Sequence, residues 1–116
     1  VLGASEKFRL VELLDGFVRP PQPVVISQEV EKASEFHTSF SLYDRTRTFL
    51  KVQDGCDYVC TFCTIPLARG SSRSDTVANL VANAKKIAAD GVKEIVLTGV
   101  NTGDFGIQGG ERQENF

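Results

Sequence analysis

The chain has 116 residues, of which 41% are hydrophobic, 9% aromatic and 24% charged; this is about one domain of ordinary globular composition and excludes a disordered or low-complexity chain. Thirteen basic and fifteen acidic side chains leave a formal charge of -2, which argues against nucleic-acid binding spread over the whole surface. No apolar run approaches the roughly 18 residues of a membrane span, the amino terminus has no basic region followed by an apolar core, and the lack of any Met leads us to expect a piece of a longer protein. Charge is uneven along the chain. Residues 1–44 carry four basic and seven acidic side chains, residues 45–73 five and two, and residues 74–116 four and six, so the middle third is locally +3.

Val1-Leu2-Gly3 reads as the tail of a strand, and Ser5 is positioned to cap a helix from Glu6 to Asp15 that ends at Gly16. Phe8, Leu10, Val11, Leu13 and Leu14 give that helix a broad apolar face, expected to pack on the sheet of Val1 and Leu2. Pro20-Pro21-Gln22-Pro23 favours an extended conformation and marks a boundary. Residues 24–47 hold a short β-prone run, Val24-Val25-Ile26, and scattered aromatics but no sustained period; they read as an extended linker across a neighbouring domain, anchored by Phe36, Phe40 and Tyr43. Arg9, Arg19 and Lys32 read as solvated surface.

Thr48 to Gln53 alternates as a strand and ends at Asp54-Gly55. After the cysteine loop, Ser74 or Asp75 is expected to cap a helix whose Val77, Leu80, Val81, Ala84, Ile87 and Ala88 share one face, stopping at Gly91. Glu94 to Thr98 is a nearly continuous apolar strand, the pattern of a strand covered on both faces. Strand, loop, helix and strand make a βαβ unit with a right-handed crossover. Parallel α/β folds put their sites at the carboxyl ends of the strands, so the cysteine loop and the Thr98-Gly99-Val100-Asn101 turn should be neighbours. Gly103, Gly106, Gly109 and Gly110 read as turn residues of a polar tail, with neither a Walker lysine nor a dinucleotide fingerprint. The expected fold class is α/β: the first βαβ unit of a partial parallel (β/α) barrel, with the Val92 to Thr98 edge unpaired and prone to self-association.

All three cysteines, Cys56, Cys60 and Cys63, lie within eight residues of the basic middle third as a C-x3-C-x2-C run. An odd count at such short spacing is poor geometry for disulfides and suits a reducing, cytoplasmic compartment and a soft metal centre. A four-iron cluster on three thiolates leaves one iron open to a small molecule. The rival reading is a zinc-stabilised RNA-binding module in which His37 completes a Cys3His set, although His37 lies 19 residues before Cys56 and the spacing is not that of structural zinc sites. His37 otherwise reads as a solvated linker residue.

Three segments in order, Thr48-Phe49-Leu50-Lys51-Val52-Gln53-Asp54-Gly55-Cys56, Ile65-Pro66-Leu67-Ala68-Arg69-Gly70 and Gly91-Val92-Lys93-Glu94-Ile95-Val96-Leu97-Thr98-Gly99-Val100-Asn101, with Phe62 as the aromatic before Cys63, resemble the radical S-adenosylmethionine (radical SAM) methylthiotransferase family. They look most like its branch that methylthiolates threonylcarbamoyladenosine beside the tRNA anticodon. The resemblance implies that Cys56, Cys60 and Cys63 ligate a four-iron four-sulfur cluster [4Fe-4S] whose open iron chelates S-adenosyl-L-methionine, and that reductive cleavage of this cofactor gives a radical able to abstract hydrogen from an unactivated carbon. It implies that Phe62 packs near the adenine, and that Thr98, Gly99 and Asn101 meet the methionine end of the cofactor in place of the Gly-Gly-Glu common in the wider superfamily. Arg69 and Arg73, with Arg45, Arg47 and Lys51, would supply positive field for a carboxylate or tRNA phosphate.

By the same resemblance residues 1–19 are the end of the family's amino-terminal domain, 20–47 a linker and 48–116 the start of the radical SAM domain. The ligands of a second [4Fe-4S] cluster, expected in the full-length protein, are absent here, as are an RNA-binding domain and the remaining barrel strands, so the piece alone is not expected to complete methylthiolation. The implied partners are tRNA and an electron donor such as a flavodoxin, with no membrane. A related branch of the family modifies an aspartate of a ribosomal protein and shares the cysteine loop.

Overall fold

The computed structural model of the chain describes residues 1–16, 18–30, 33–41, 46–108 and 110–115. Lys32, Tyr43, Arg45 and Gly109, singled out above, lie outside the described residues. At the amino end the expected strand is a single parallel bridge between Leu2 and Ile26, closed by Gly3 N–H donating to the Ile26 carbonyl at 2.8 Å and Ile26 N–H to that of Val1 at 2.9 Å. The helix expected as one element is a 3-10 turn, Glu6–Arg9, followed by α1, Leu10–Leu14. Ser5 has helical dihedrals and makes no capping bond. Arg9 marks the break, with φ -92° and ψ 11°, and its guanidinium bridges Glu6 and Glu12 at 2.9 Å each; side chains three residues apart eclipse in a 3-10 turn, which suits that pairing.

The apolar face of this helical segment stays largely open: Phe8 is 45% exposed, Leu10 47% and Val11 83%. One bridge offers too little apolar surface to cover it, and a groove of about 690 Å³ remains between Leu2, Leu10, Leu13, Leu14, Pro23 and Ile26.

The β-branched and aromatic run after residue 47 forms β1, Thr48–Lys51. The chain then changes partner. Val52 N–H still donates toward the next strand, to the Thr98 carbonyl at 2.8 Å, but β2, Gln53–Asp54, turns away to pair antiparallel with β3, Arg73–Ser74, in the register Gln53 to Ser74 and Asp54 to Arg73. Between them α2, Ile65–Arg69, starts with Pro66 in its first turn, where a missing N–H costs no helical bond.

Next comes α3, Val77–Ala89. Its cap is Thr76, whose hydroxyl accepts from Asn79 N–H at 3.2 Å, rather than Ser74 or Asp75. Ser74 belongs to β3 and its hydroxyl accepts from Gly106 N–H at 3.0 Å, while Asp75 accepts from Thr76 N–H and the Asn79 side chain, both at 2.9 Å.

After Gly91 the chain enters β4, Ile95–Thr98, which lies parallel to β1 with Thr48 opposite Ile95 and Lys51 opposite Thr98. Leu80 and Ile87 of α3 close the core with Leu50, Val52 and Phe105, and Ala84, Val92 and Ile95 pack against it. The helix covers one face only. Phe49, on the face opposite Leu50, is 45% exposed, and Leu97, which lies beside Leu50 on the helix side, is still 49% exposed at the edge, so the expected cover on both faces of β4 is not met. Among the described residues β4 pairs with β1 alone, while the other edge of β1 takes a bridge from Phe40 to Leu50 and a bond from Lys51 N–H to the Ser39 carbonyl at 3.1 Å. A 3-10 turn, Thr102–Asp104, and a hairpin of β5, Ile107–Gln108, with β6, Glu111–Arg112, complete the chain. The parallel βαβ unit is therefore formed, with two strands rather than a barrel.

Candidate metal centre

The pairing of β2 with β3 pinches the base of the loop that carries the cysteines. Gly55 opens it with φ 73°, and a Cβ there would stand 2.0 Å from the Ser71 carbonyl oxygen, so only glycine lets the two sides approach this closely. Cys56 N–H donates to the Gly70 carbonyl at 3.1 Å and Ser72 N–H to the Asp57 carboxylate at 2.9 Å. Beside Cys56 lies a hollow of about 260 Å³ lined by Val30, Asp57, Pro66, Leu67 and Gly70. Cys60 and Cys63 share a turn through Cys63 N–H and the Cys60 carbonyl at 3.1 Å. All three cysteines are free thiols. The far side of the loop points apolar groups outward, with Val59 95% and Phe62 89% exposed.

Among the described residues no group of three or more His, Cys, Asp or Glu side chains is gathered to hold a metal ion. Free thiols have no attraction for one another, and in such sites the metal's own bonds draw the ligands together. The donor set itself fits a soft metal: three unpaired sulfurs on one loop, anchored at Cys56 and turned together at Cys60 and Cys63. His37 stands apart from it. Its ring stacks on Phe8 with centroids 3.6 Å apart, so it is a half-buried residue packed on one side rather than fully solvated.

Behind the loop, Asp54 is 2% exposed and faces three cations: Arg69 Nη1 at 2.9 Å, Arg73 Nη2 at 3.3 Å and Lys51 Nζ at 3.4 Å. Burial raises the Asp54 pKa, but the Gly55 N–H and these three cations outweigh it and hold the carboxyl below its ordinary value. Lys7 feels the same cluster. Desolvation lowers its ammonium pKa, Asp54 raises it, and Arg69, Lys51 and Arg73 lower it further, for a net fall. Arg73 is committed to the fold: it also donates to the carbonyls of Glu35, Arg69 and Ser71 at 2.9 to 3.0 Å. The Arg69 side chain is 47% exposed and keeps a solvent-facing side. Arg47 pairs with Glu94 at 3.3 Å.

Gln53, which sequence reasoning passed over as an ordinary strand residue, joins the two loops expected to be neighbours. It is 0% exposed; its Nε2 donates to the Gly55 carbonyl at 2.7 Å and its Oε1 accepts from Asn101 N–H at 2.8 Å. The Asn101 side chain donates to Asp104 at 2.8 Å and the Thr98 hydroxyl lies 3.4 Å from the Leu50 carbonyl. On the uncovered face of the sheet a hollow of about 430 Å³ is lined by Ser39, Phe40, Ser41, Phe49, Lys51 and Thr98. The only hint of Gln53 in the sequence is its place in Gln53-Asp54-Gly55, immediately before the first cysteine.

Residues 50–107 match the sequence model of the Radical SAM superfamily. Among curated proteins, the threonylcarbamoyladenosine tRNA methylthiotransferase MtaB of Bacillus subtilis is 36% identical over 108 residues, 91% of this chain and 24% of the relative. The ribosomal protein uS12 methylthiotransferase RimO of Synechococcus elongatus is 35% identical over 112 residues, 92% of this chain and 24% of the relative. A tRNA-2-methylthio-N(6)-dimethylallyladenosine synthase of Rickettsia rickettsii is 35% identical over 106 residues, 90% of this chain and 24% of the relative. The chain thus spans about a quarter of the length of these relatives. No solved structure matches it. No helix among the described residues is long and apolar enough to cross a membrane.

Proposed function

Because this chain belongs to the radical SAM superfamily, we propose that it carries the cluster-binding part of a methylthiotransferase that acts on threonylcarbamoyladenosine in tRNA. The observation that carries this reading is the C-x3-C-x2-C loop lying at the carboxyl end of the β1 side of a parallel βαβ unit, tied through Gln53 to the turn that follows β4. In this reading Cys56, Cys60 and Cys63 hold a four-iron cluster and leave one iron for S-adenosylmethionine. The cluster, when bound, supplies the electron that breaks a carbon–sulfur bond of that cofactor. The exposed Phe62 ring is available to close over an adenine, and Thr98, Gly99 and Asn101 border the methionine end. Arg69 presents charge to a carboxylate or phosphate, with Arg73 acting on it through Asp54. Unpaired thiols suit a reducing cytoplasm, with a flavodoxin-type protein as electron donor, and the open edge of β4 favours self-association.

The test is anaerobic reconstitution of the chain, iron and sulfide analysis, and electron paramagnetic resonance with and without S-adenosylmethionine. The expected result is a four-iron signal that shifts with the cofactor and disappears when Cys56, Cys60 or Cys63 is replaced by Ala. Zinc as the sole metal taken up by a well-folded full-length protein would overturn it.

A second reading, modification of ribosomal protein uS12, is favoured by the similarity to RimO over 92% of this chain. Disruption of the gene in its source organism separates the two. Loss of the 2-methylthio group from tRNA hydrolysates supports the first, and loss of the uS12 mark supports the second.

A further inference from the structure

Gln53 is fully buried yet polar, and its amide is used on both sides. Nε2 donates to the Gly55 carbonyl at 2.7 Å, the Ser72 hydroxyl at 3.0 Å and the Asp54 carbonyl at 3.1 Å. Oε1 accepts from Asn101 N–H at 2.8 Å. Only glutamine has this reach together with both donor and acceptor: Glu lacks the donors, Asn is one methylene short and Leu has neither. The turn after β4 rests directly on this side chain, for a Cβ on Gly99 would stand 2.9 Å from Gln53 Oε1 and 3.0 Å from its Cβ. One amide therefore fixes the carbonyl of the residue before Cys56, the far side of the same loop at Ser72, and the backbone of the turn. A buried amide cannot give up one partner without leaving a polar group unpaired, so displacement on one side is passed to the other.

We propose that Gln53 is a positioning residue that keeps the metal-binding loop and the cofactor-binding turn in register, so that a change in one alters the other. The connection stands on the contacts alone; its use in aligning cluster and S-adenosylmethionine rests on the function proposed above.

Hydrogen–deuterium exchange of the full chain, read by mass spectrometry without metal, tests the connection. Gly99→Ala replaces a residue of the turn and presses the new Cβ on the Gln53 side chain and carbonyl, which stand 2.9 to 3.2 Å away, and we expect faster exchange by about tenfold both in residues 98–104 and in the loop base at 55–57 and 71–73, the scale of losing about one buried hydrogen bond. Gln53→Leu should loosen the same two segments. Ile87→Val, a core trim on α3, should loosen neither selectively. Changes from Gly99→Ala confined to 98–104 would overturn the proposal, and this variant decides the matter even if Gln53→Leu does not fold. In the reconstituted chain, at equal iron content, Gln53→Leu, or Gln53→Glu where the Leu variant does not fold, should raise the S-adenosylmethionine concentration needed for the spectral shift by about tenfold; an unchanged midpoint would overturn the alignment role. A wild-type cluster that ignores the cofactor would count against the proposed function instead, and the exchange result would still decide the connection.

Discussion

Asp54 and Gly55 hold the loop base by two different means, charge and backbone. A carboxyl whose folded pKa is depressed, as that of Asp54 is, stabilises the fold fully above its unfolded pKa and loses that contribution as pH falls through the folded one. The Asp54 cluster should therefore contribute in full above about pH 4 and fade below it. Asp54→Asn is expected to cost about 3 kcal/mol at pH 7, because it leaves the buried guanidinium of Arg73 without its carboxylate, and the variant and wild type should converge in acid. Denaturant unfolding from pH 7 to pH 3 checks this, and an equal loss at every pH would contradict it. Gly55→Ala meets both an unfavourable φ and the Ser71 carbonyl, so the same unfolding experiment should show a loss of more than about 2 kcal/mol. At this scale the three cysteines were legible as unpaired thiols of one loop. Gln53 was not, because a polar residue in an alternating run reads as solvent-facing; it is buried because the chain leaves β1 and turns to pair with β3.

Elements were legible in proportion to their length. The thirteen residues of α3 repeat the helical period often enough to be read, whereas α2 with five residues and β3 with two are shaped by closure of the loop rather than by any period of their own. The helix start was blurred for a chemical reason: Ser74, Asp75 and Thr76 are consecutive and all able to cap. Tertiary contacts decide among them, since Gly106 takes the Ser74 hydroxyl and Thr38 donates to the Asp75 carboxylate. Thr76→Ala should consequently lower stability by about 1 kcal/mol through loss of the cap, with helicity by circular dichroism starting to fray at a lower temperature. Ser74→Ala should act instead on the tail, exposing the Gly106 amide to exchange while the first turn of α3 keeps its protection. A fall in protection at Val77 to Leu80 in Ser74→Ala but not in Thr76→Ala would reverse the assignment of the cap.

On the scale of the whole molecule, the βαβ topology and the meeting of the two loops followed from sequence, because parallel strands joined by a helix have one favoured arrangement. The barrel expected from sequence is not formed among the described residues, where β1 and β4 make a two-stranded sheet. The consequence is an edge. With β4 paired only to β1 among the described residues and Leu97 49% exposed, the outer backbone groups of β4 and an apolar side chain are presented together, the combination that recruits another strand. Association through this edge should make the weight-average mass in sedimentation rise with concentration. Leu97→Lys places a charge on the same edge at a half-exposed residue outside the buried core, and it should shift the chain toward monomer while leaving the unfolding midpoint within about 0.5 kcal/mol of wild type. A mass that is independent of concentration in the wild type would show that the edge is covered, and a variant that associates as strongly as wild type would move the contact elsewhere, with the open apolar groove beside α1 as the next surface to substitute.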